Sequence, residues 1–296
     1  MAKATLLIVG GPTASGKTKL AIEVAKHFDT EIISADSRQC FREMSIGTAK
    51  PSEVELATIK HHFIDHLSIT EEVNAGVFCD FANQKIEELS KSKKFVVITG
   101  GTGLYIKALI EGLDDLPAIP EDFRNALKLE YVNKGLPYFV EELKSKDFIH
   151  YQTVDLNNPS RVLRAIELIR FTGQPYSSLI NKKSKEKKYN AINFCIDLPR
   201  ETLYERINLR VDQMINNGLV REVERLKNAR HQSALQTVGY TELFDFFDGK
   251  ITLEKAIELI KQHSRNYAKR QLTWFKNQGQ YQMILPQIES ILPFIK

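Results

Sequence analysis

The sequence predicts an α/β fold: a parallel sheet flanked by helices and interrupted by a helical insertion. Three observations predict it. Residues 1–113 alternate apolar strand runs with helical periodicity, the pattern of a sheet covered on both faces. Residues 119–188 keep helical periodicity and show no strand pattern. The first strand runs into Gly11-Pro12-Thr13-Ala14-Ser15-Gly16-Lys17-Thr18, a G-x-x-x-x-G-K-T loop followed by a helix.

The elements follow in order. Strands are expected at 5–9, 31–35 and 95–99, with helices at 16–27, 52–60, 76–91 and 103–111 between and after them. Asp114–Pro120 carries two prolines and two acidic residues and reads as a boundary. The insertion then offers helices at 121–134, 137–145, 147–153 and 159–172. The last is well signalled, with Asn158 as N-cap and Pro159 in the first helical position. Val162, Ile166 and Ile169 form its apolar face, and Arg161 and Arg164 share a surface three residues apart. Tyr189–Leu198 returns as a strand, and helices follow at 200–216, 218–228, 239–247 and 252–277. The expected division is therefore a core of 1–118 with 189–296, and an insertion of 119–188.

Composition sets the bounds. The chain has 296 residues, 43% hydrophobic and 26% charged, as soluble globular proteins do. No apolar run approaches the ~20 residues that span a bilayer, so no membrane role is expected. Met1–Ala4 leads directly into the strand before the loop and does not read as a signal peptide. Cys40, Cys79 and Cys195 lack metal-type spacing, which fits a reducing cytoplasm. Net charge is +4. Asn181–Lys188 carries five lysines against one glutamate, the composition of a solvated linker. Ser264–Lys276 interleaves Arg265, Lys269, Arg270 and Lys276 with Tyr267, Trp274 and Phe275, which tilts that helix toward nucleic acid. Trp274 and Phe275 themselves read as packing residues.

The glycine loop is a phosphate cradle. Its backbone N–H groups and the helix N-terminus surround a diphosphate, Lys17 meets its outer oxygens, and Thr18 faces Mg²⁺. An ordinary NTPase of this kind ends a further strand in Asp to hold the metal. Here 95–99 ends in Gly100-Gly101-Thr102-Gly103, with no carboxylate. The carboxylate at a strand end is Asp36, where nucleotide kinases place contacts to the acceptor substrate. Asp197 is a second, weaker metal-holder by pattern. Arg206 and Arg210 lie one turn apart, as in lids that close on transferring phosphates; the alternative is a solvent face paired with Glu201 and Glu205. His61 and His62 are adjacent, so they do not converge on one ion, and read as structural.

Several separated motifs then agree. Gly11–Thr18, Ser34–Ser37 with Ile46–Pro51, Gly100–Tyr105, and Ala268-Lys269-Arg270-Gln271 with Thr273-Trp274 resemble the bacterial tRNA dimethylallyltransferases. His61–Asp65, Asn158–Arg164 and Val238-Gly239-Tyr240 are similar to family segments in the same order. Gly103 departs from the pattern, standing where many members carry a larger residue. The resemblance covers nearly the whole chain. It implies transfer of a dimethylallyl group from its diphosphate to N6 of the adenosine 3′ of the anticodon, in an anticodon stem-loop, with Mg²⁺ as cofactor. It implies that the loop, Gly11 through Thr18, holds a departing diphosphate; Arg206 and Arg210 are added as contacts by their likeness to a lid. It makes Asp36 the base, with Lys17 and Thr13 also catalytic, Thr13 near the allylic end. The tRNA contacts it implies are Asp36, Ser37, Arg38 and Gln39, then Thr102 and Arg124, then Ser160, Arg161, Val162, Leu163 and Arg164. A cytoplasmic monomer is expected. The alternatives are an adenylate isopentenyltransferase, a small-molecule kinase, and a nucleotide-regulated RNA-binding protein.

Overall fold

The centre of the sheet is β1 (Thr5–Gly10), which pairs in parallel on both sides. The computed structural model describes residues 4–180, 188–278 and 280–295. Along the chain follow α1 (Lys17–His27), β2 (Ile32–Ser34), α2 (Glu53–Thr58), β3 (His61–His62), α3 (Ala75–Leu89), β4 (Phe95–Gly100) and α4 (Gly103–Glu111). Then come α5 (Glu121–Lys146), α6 (Phe148–Thr153), α7 (Pro159–Thr172) and α8 (Tyr176–Leu179). The last group is β5 (Asn190–Ile196), α9 (Arg200–Asn216), α10 (Leu219–Arg225), α11 (Thr241–Phe247), α12 (Leu253–Asn277) and β6 (Gln282–Ile284).

The six strands lie in the order β3-β2-β4-β1-β5-β6, with every pairing parallel. Every residue of β4 is buried, as a parallel strand covered on both faces requires. Leu6, Ile8, Val96 and Ile98 enter one core, while Leu7, Val9, Phe95 and Val97 enter the other. The chain leaves β1 toward β2 on one side and returns through β5 on the other. That places the glycine loop at the carboxyl end of the strand where the sheet's winding reverses, the crevice in which such sheets bind ligands. The edge strands β3 and β6 are absent from the sequence reading, being only two and three residues long. Among the described residues no helix is long and apolar enough to cross a membrane.

The chain forms two compact units, Met1–Glu111 with Lys187–Lys296, and Gly112–Glu186. The first boundary falls earlier than the prolines suggest, because Gly112, in a left-handed conformation at φ 83°, closes α4. The second unit has its own core of Leu127, Phe139, Leu143, Val162, Ala165, Ile166 and Ile169. Its first two expected helices form one kinked element, broken at Gly135 (φ 73°, ψ 171°) just before Pro137. Arg170 ties both halves of α5 to α7, with Nη1 donating to Glu130 at 2.5 Å and Nε to Glu142 at 2.8 Å. The lysine run of 181–187 lies outside the described residues.

Candidate active site

The loop after β1 gets its shape from three residues with positive φ: Gly11 at 142°, Ala14 at 62° and Gly16 at 98°. A side chain at Gly11 would be strained there and would press on the Ile196 backbone, 3.2 Å away. Within the loop, Ser15 N–H donates to the Pro12 carbonyl at 3.3 Å, and Lys17 Nζ donates to the same oxygen at 2.6 Å. Gln271 on α12 closes the loop from outside. Its Oε1 accepts from Thr13 N–H at 2.8 Å, and its Nε2 donates to the Gly101 carbonyl at 3.0 Å.

Helix α9 brings its arginines to this loop. Arg206 Nη1 donates to the Ser15 carbonyl at 3.4 Å, and Arg210 Nη1 to Thr13 Oγ1 at 3.2 Å. Among the described residues neither pairs with Glu201 or Glu205; Arg206 is exposed, whereas Arg210 is half-buried. Thr13, Lys17, Thr18, Asp36, Arg206 and Arg210 line one cavity of about 1030 Å³. Lys17, Arg206 and Arg210, with Lys19, Arg38 and Arg270 also on the lining, suit an oxyanion of high charge. Enclosure by protein, then the nearby Arg210 charge, pull the Lys17 pKa down to about 8, against the opposing pull of Asp36. Burial likewise draws Arg210 below the usual guanidinium range, with Asp36 again opposing.

Asp36 follows β2. Its Oδ1 accepts from the backbone N–H of Arg38 at 2.9 Å and of Gln39 at 3.2 Å, so the residue does cap the next turn. It also lines the cavity, and Oδ2 accepts no hydrogen bond from the described residues. Ser37 N–H donates to Thr102 Oγ1 at 3.1 Å, joining the ends of β2 and β4. Their approach is close: a Cβ on Gly100 would lie 2.1 Å from the Ala35 carbonyl oxygen. Gly103, the departure from the family pattern, leaves room for the Trp274 ring, which stands 2.2 Å from where a Cβ would be. Phe275 is buried against Gly10, so Trp274 and Phe275 both pack. Gln39 Nε2 reaches the carbonyls of Thr48 at 3.2 Å and Ala49 at 3.0 Å.

The remaining candidates resolve as follows. Asp197 pairs with Lys276 at 2.8 Å. His62 Nε2 meets Glu31 at 2.5 Å, and His61 Nδ1 meets the Ile59 carbonyl at 2.8 Å; no cluster of three metal-ligating residues occurs among the described residues. Within the second unit, Glu167 is buried and binds Arg124 Nε at 2.9 Å and Arg164 Nη1 at 2.5 Å. Ser160 and Arg161 are exposed. Val162 is not a surface contact. It is fully buried in the unit's core, where the 3.6-residue period of α7 turns it, and Leu163 packs half-buried beside that core. Gln271 is missing from the candidates read off the sequence although it ends the Ala268–Gln271 motif. Nothing in its local context signals a partner 258 residues away.

A metal at Thr18 is consistent with these donors. Mg²⁺ keeps several waters and is commonly held by one or two protein oxygens plus substrate phosphate, so a dedicated carboxylate cage is not required.

Residues 39–278 match the family described as IPP transferase. The chain is 49% identical to the tRNA dimethylallyltransferase of Christiangramia forsetii over 92% of its own length and 90% of that protein. It is 44% identical to that of Cytophaga hutchinsonii, over 98% and 96%. Among solved structures it is similar to the tRNA isopentenylpyrophosphate transferase of Bacillus halodurans, with a TM-score of 0.71 and 36% identity, covering 99% of this chain and 93% of that one. A eukaryotic dimethylallyltransferase acting on tRNA shares the fold, with a TM-score of 0.80 at 24% identity, covering 97% and 75%.

Proposed function

Because the chain belongs to the IPP transferase family, we propose that it transfers a dimethylallyl group from dimethylallyl diphosphate to N6 of the adenosine 3′ of the anticodon in tRNA, releasing diphosphate. The observation that carries this reading is the single cavity containing both the cationic glycine loop and Asp36. The first is suited to a leaving diphosphate, the second to an incoming amine.

In the reaction the allylic C1–O bond breaks and the C1–N6 bond forms. Negative charge grows on the diphosphate as its bond breaks. Loop N–H groups, Lys17, Arg206 and Arg210 stabilise that charge, the three side chains turning to the diphosphate from the loop acceptors they hold without it. Thr18 would help to hold Mg²⁺, which would supply further charge neutralisation. Asp36 accepts a hydrogen bond from N6, and takes its proton as the new bond forms. The target base leaves its stack in the anticodon loop to enter the cavity. Asp36 through Gln39 and Thr102 receive it, and in the insertion Ser160, Arg161, Arg164 and Arg124 contact the RNA. The protein acts as a cytoplasmic monomer.

The test mixes protein, anticodon stem-loop RNA, dimethylallyl diphosphate and Mg²⁺, with a parallel mixture holding ATP instead. One dimethylallyl unit of added mass on that adenosine, only with the allylic donor, is the expected result. A blank result with both the stem-loop and full-length tRNA overturns the reading.

A further inference from the structure

Glu222 is a buried carboxylate that forms no ion pair with a cation among the described residues. Buried charges are normally paired, because desolvation is costly. This one is satisfied by four donors instead. Oε2 accepts from the backbone N–H of Ser45 at 3.1 Å and Ile46 at 2.8 Å. Oε1 accepts from Gly47 N–H at 3.0 Å and from Tyr240 Oη at 2.7 Å. Three consecutive amides converging on one carboxylate fix the path of that backbone. Tyr240 is fully buried, and its ring occupies the space beside Gly47, where a Cβ would lie 2.6 Å from it.

The clamped segment continues to the reaction centre. Thr48 and Ala49 follow directly, and their carbonyls hold Gln39 Nε2. Gln39 N–H in turn donates to Asp36 Oδ1. A continuous chain of hydrogen bonds and backbone thus runs from Glu222 to Asp36, and Gly47, Thr48 and Ala49 line the cavity along the way. The glycine loop is held separately, through Gln271.

We propose that Glu222 is a positioning residue for the acceptor side of the site: by clamping residues 45–47, with Tyr240, it sets Gln39 and Asp36 for the tRNA base and leaves the donor side untouched. This rests on the reading that tRNA is the acceptor.

The test is steady-state kinetics of Glu222→Gln and Tyr240→Phe, with each substrate varied in turn, together with hydrogen exchange. The glutamine keeps the volume but turns an N–H₂ toward donors. It is expected to raise KM for tRNA about tenfold and lower kcat, because small displacements of positioned groups are felt strongly in rate. KM for dimethylallyl diphosphate stays within twofold, and amide exchange accelerates at 45–49. Tyr240→Phe keeps the ring, removes one donor of four, and produces the same pattern more weakly. Should Glu222→Gln fail to fold, Tyr240→Phe alone decides. Equal changes in both KM values, tracking a fall in Tm, make Glu222 a general prop and overturn the proposal, as does wild-type KM for tRNA in both variants. A wild-type enzyme that transfers nothing to RNA overturns the proposed function, and this role with it.

Discussion

Gln271 Oε1 accepts a hydrogen bond from Thr13 N–H at 2.8 Å, while the same side chain donates to Gly101 from its other end. One amide therefore spans the glycine loop and the turn after β4. Removing it in Gln271→Ala leaves a part-buried N–H and a buried carbonyl without this partner. The expected cost is about 1–3 kcal/mol of stability, with weaker diphosphate binding. Denaturant unfolding and calorimetric titration with diphosphate check both, and unchanged affinity contradicts the role given to Gln271.

Asp36 serves its turn and, in the proposed reaction, the amine. These roles separate in Asp36→Asn, whose amide oxygen still accepts from Arg38 and Gln39. Stability and tRNA affinity should hold while the single-turnover rate falls about a hundredfold to ten-thousandfold, the range for loss of a positioned base. A rate within threefold of wild type removes Asp36 as the base.

Lys17 has a pKa of about 8 when free of ligand. A diphosphate favours the protonated form, so binding takes up a proton where the lysine is neutral. The part of diphosphate affinity that Lys17 contributes should be flat below pH 8 and weaken up to tenfold per pH unit above it, on top of the ligand's own titration. Titration across pH 6.5–9.5 reads this directly. Lys17→Met should remove this part of the pH dependence along with most of the affinity.

Arg161 is exposed, while Arg164 shares Glu167 with Arg124. If both arginines meet phosphates, Arg161→Ala with Arg164→Ala lowers tRNA affinity and reduces the slope of log K against log salt by about one per lost contact. Filter binding between 50 and 200 mM salt is sufficient. A wild-type slope excludes them as phosphate contacts.

Gly100→Ala puts a Cβ 2.1 Å from a backbone oxygen that no rotamer change can move. We expect a loss of about 3 kcal/mol or more, since the two strand ends must separate. Thermal unfolding measures it, and a wild-type Tm would mean the ends part readily.

Much of the core was legible because burial on both sheet faces writes itself as apolar runs. Thr5–Gly10 and Phe95–Gly100 are such runs, and α7 announces itself through Asn158, Pro159 and its apolar period. His61–His62 and Gln282–Ile284 were not, because two or three residues carry no period and owe their pairing to neighbours. The glycine loop and Asp36 were readable because their chemistry lies in contiguous motifs. Glu222, Tyr240 and Gln271 were not assigned, since what they do depends on partners brought close only by folding. Val162 shows the opposite error: a motif matched as a block includes a residue whose side chain faces inward.

The pairing of β1 bears on how the chain is made. Its neighbours are β4 and β5, so Thr5 lies beside both Phe95 and Asn190. A ribosome releases Thr5 long before Asn190. The insertion, whose contacts are local and whose core is its own, emerges whole in that interval. It can fold while the sheet still has an open edge along β1, waiting for the strand that follows the insertion. Local contacts form quickly and distant strand pairing slowly. The helical unit is thus expected to mature first, and the glycine loop at the tip of β1 to acquire its arginines only after β5 and α9 have followed the insertion.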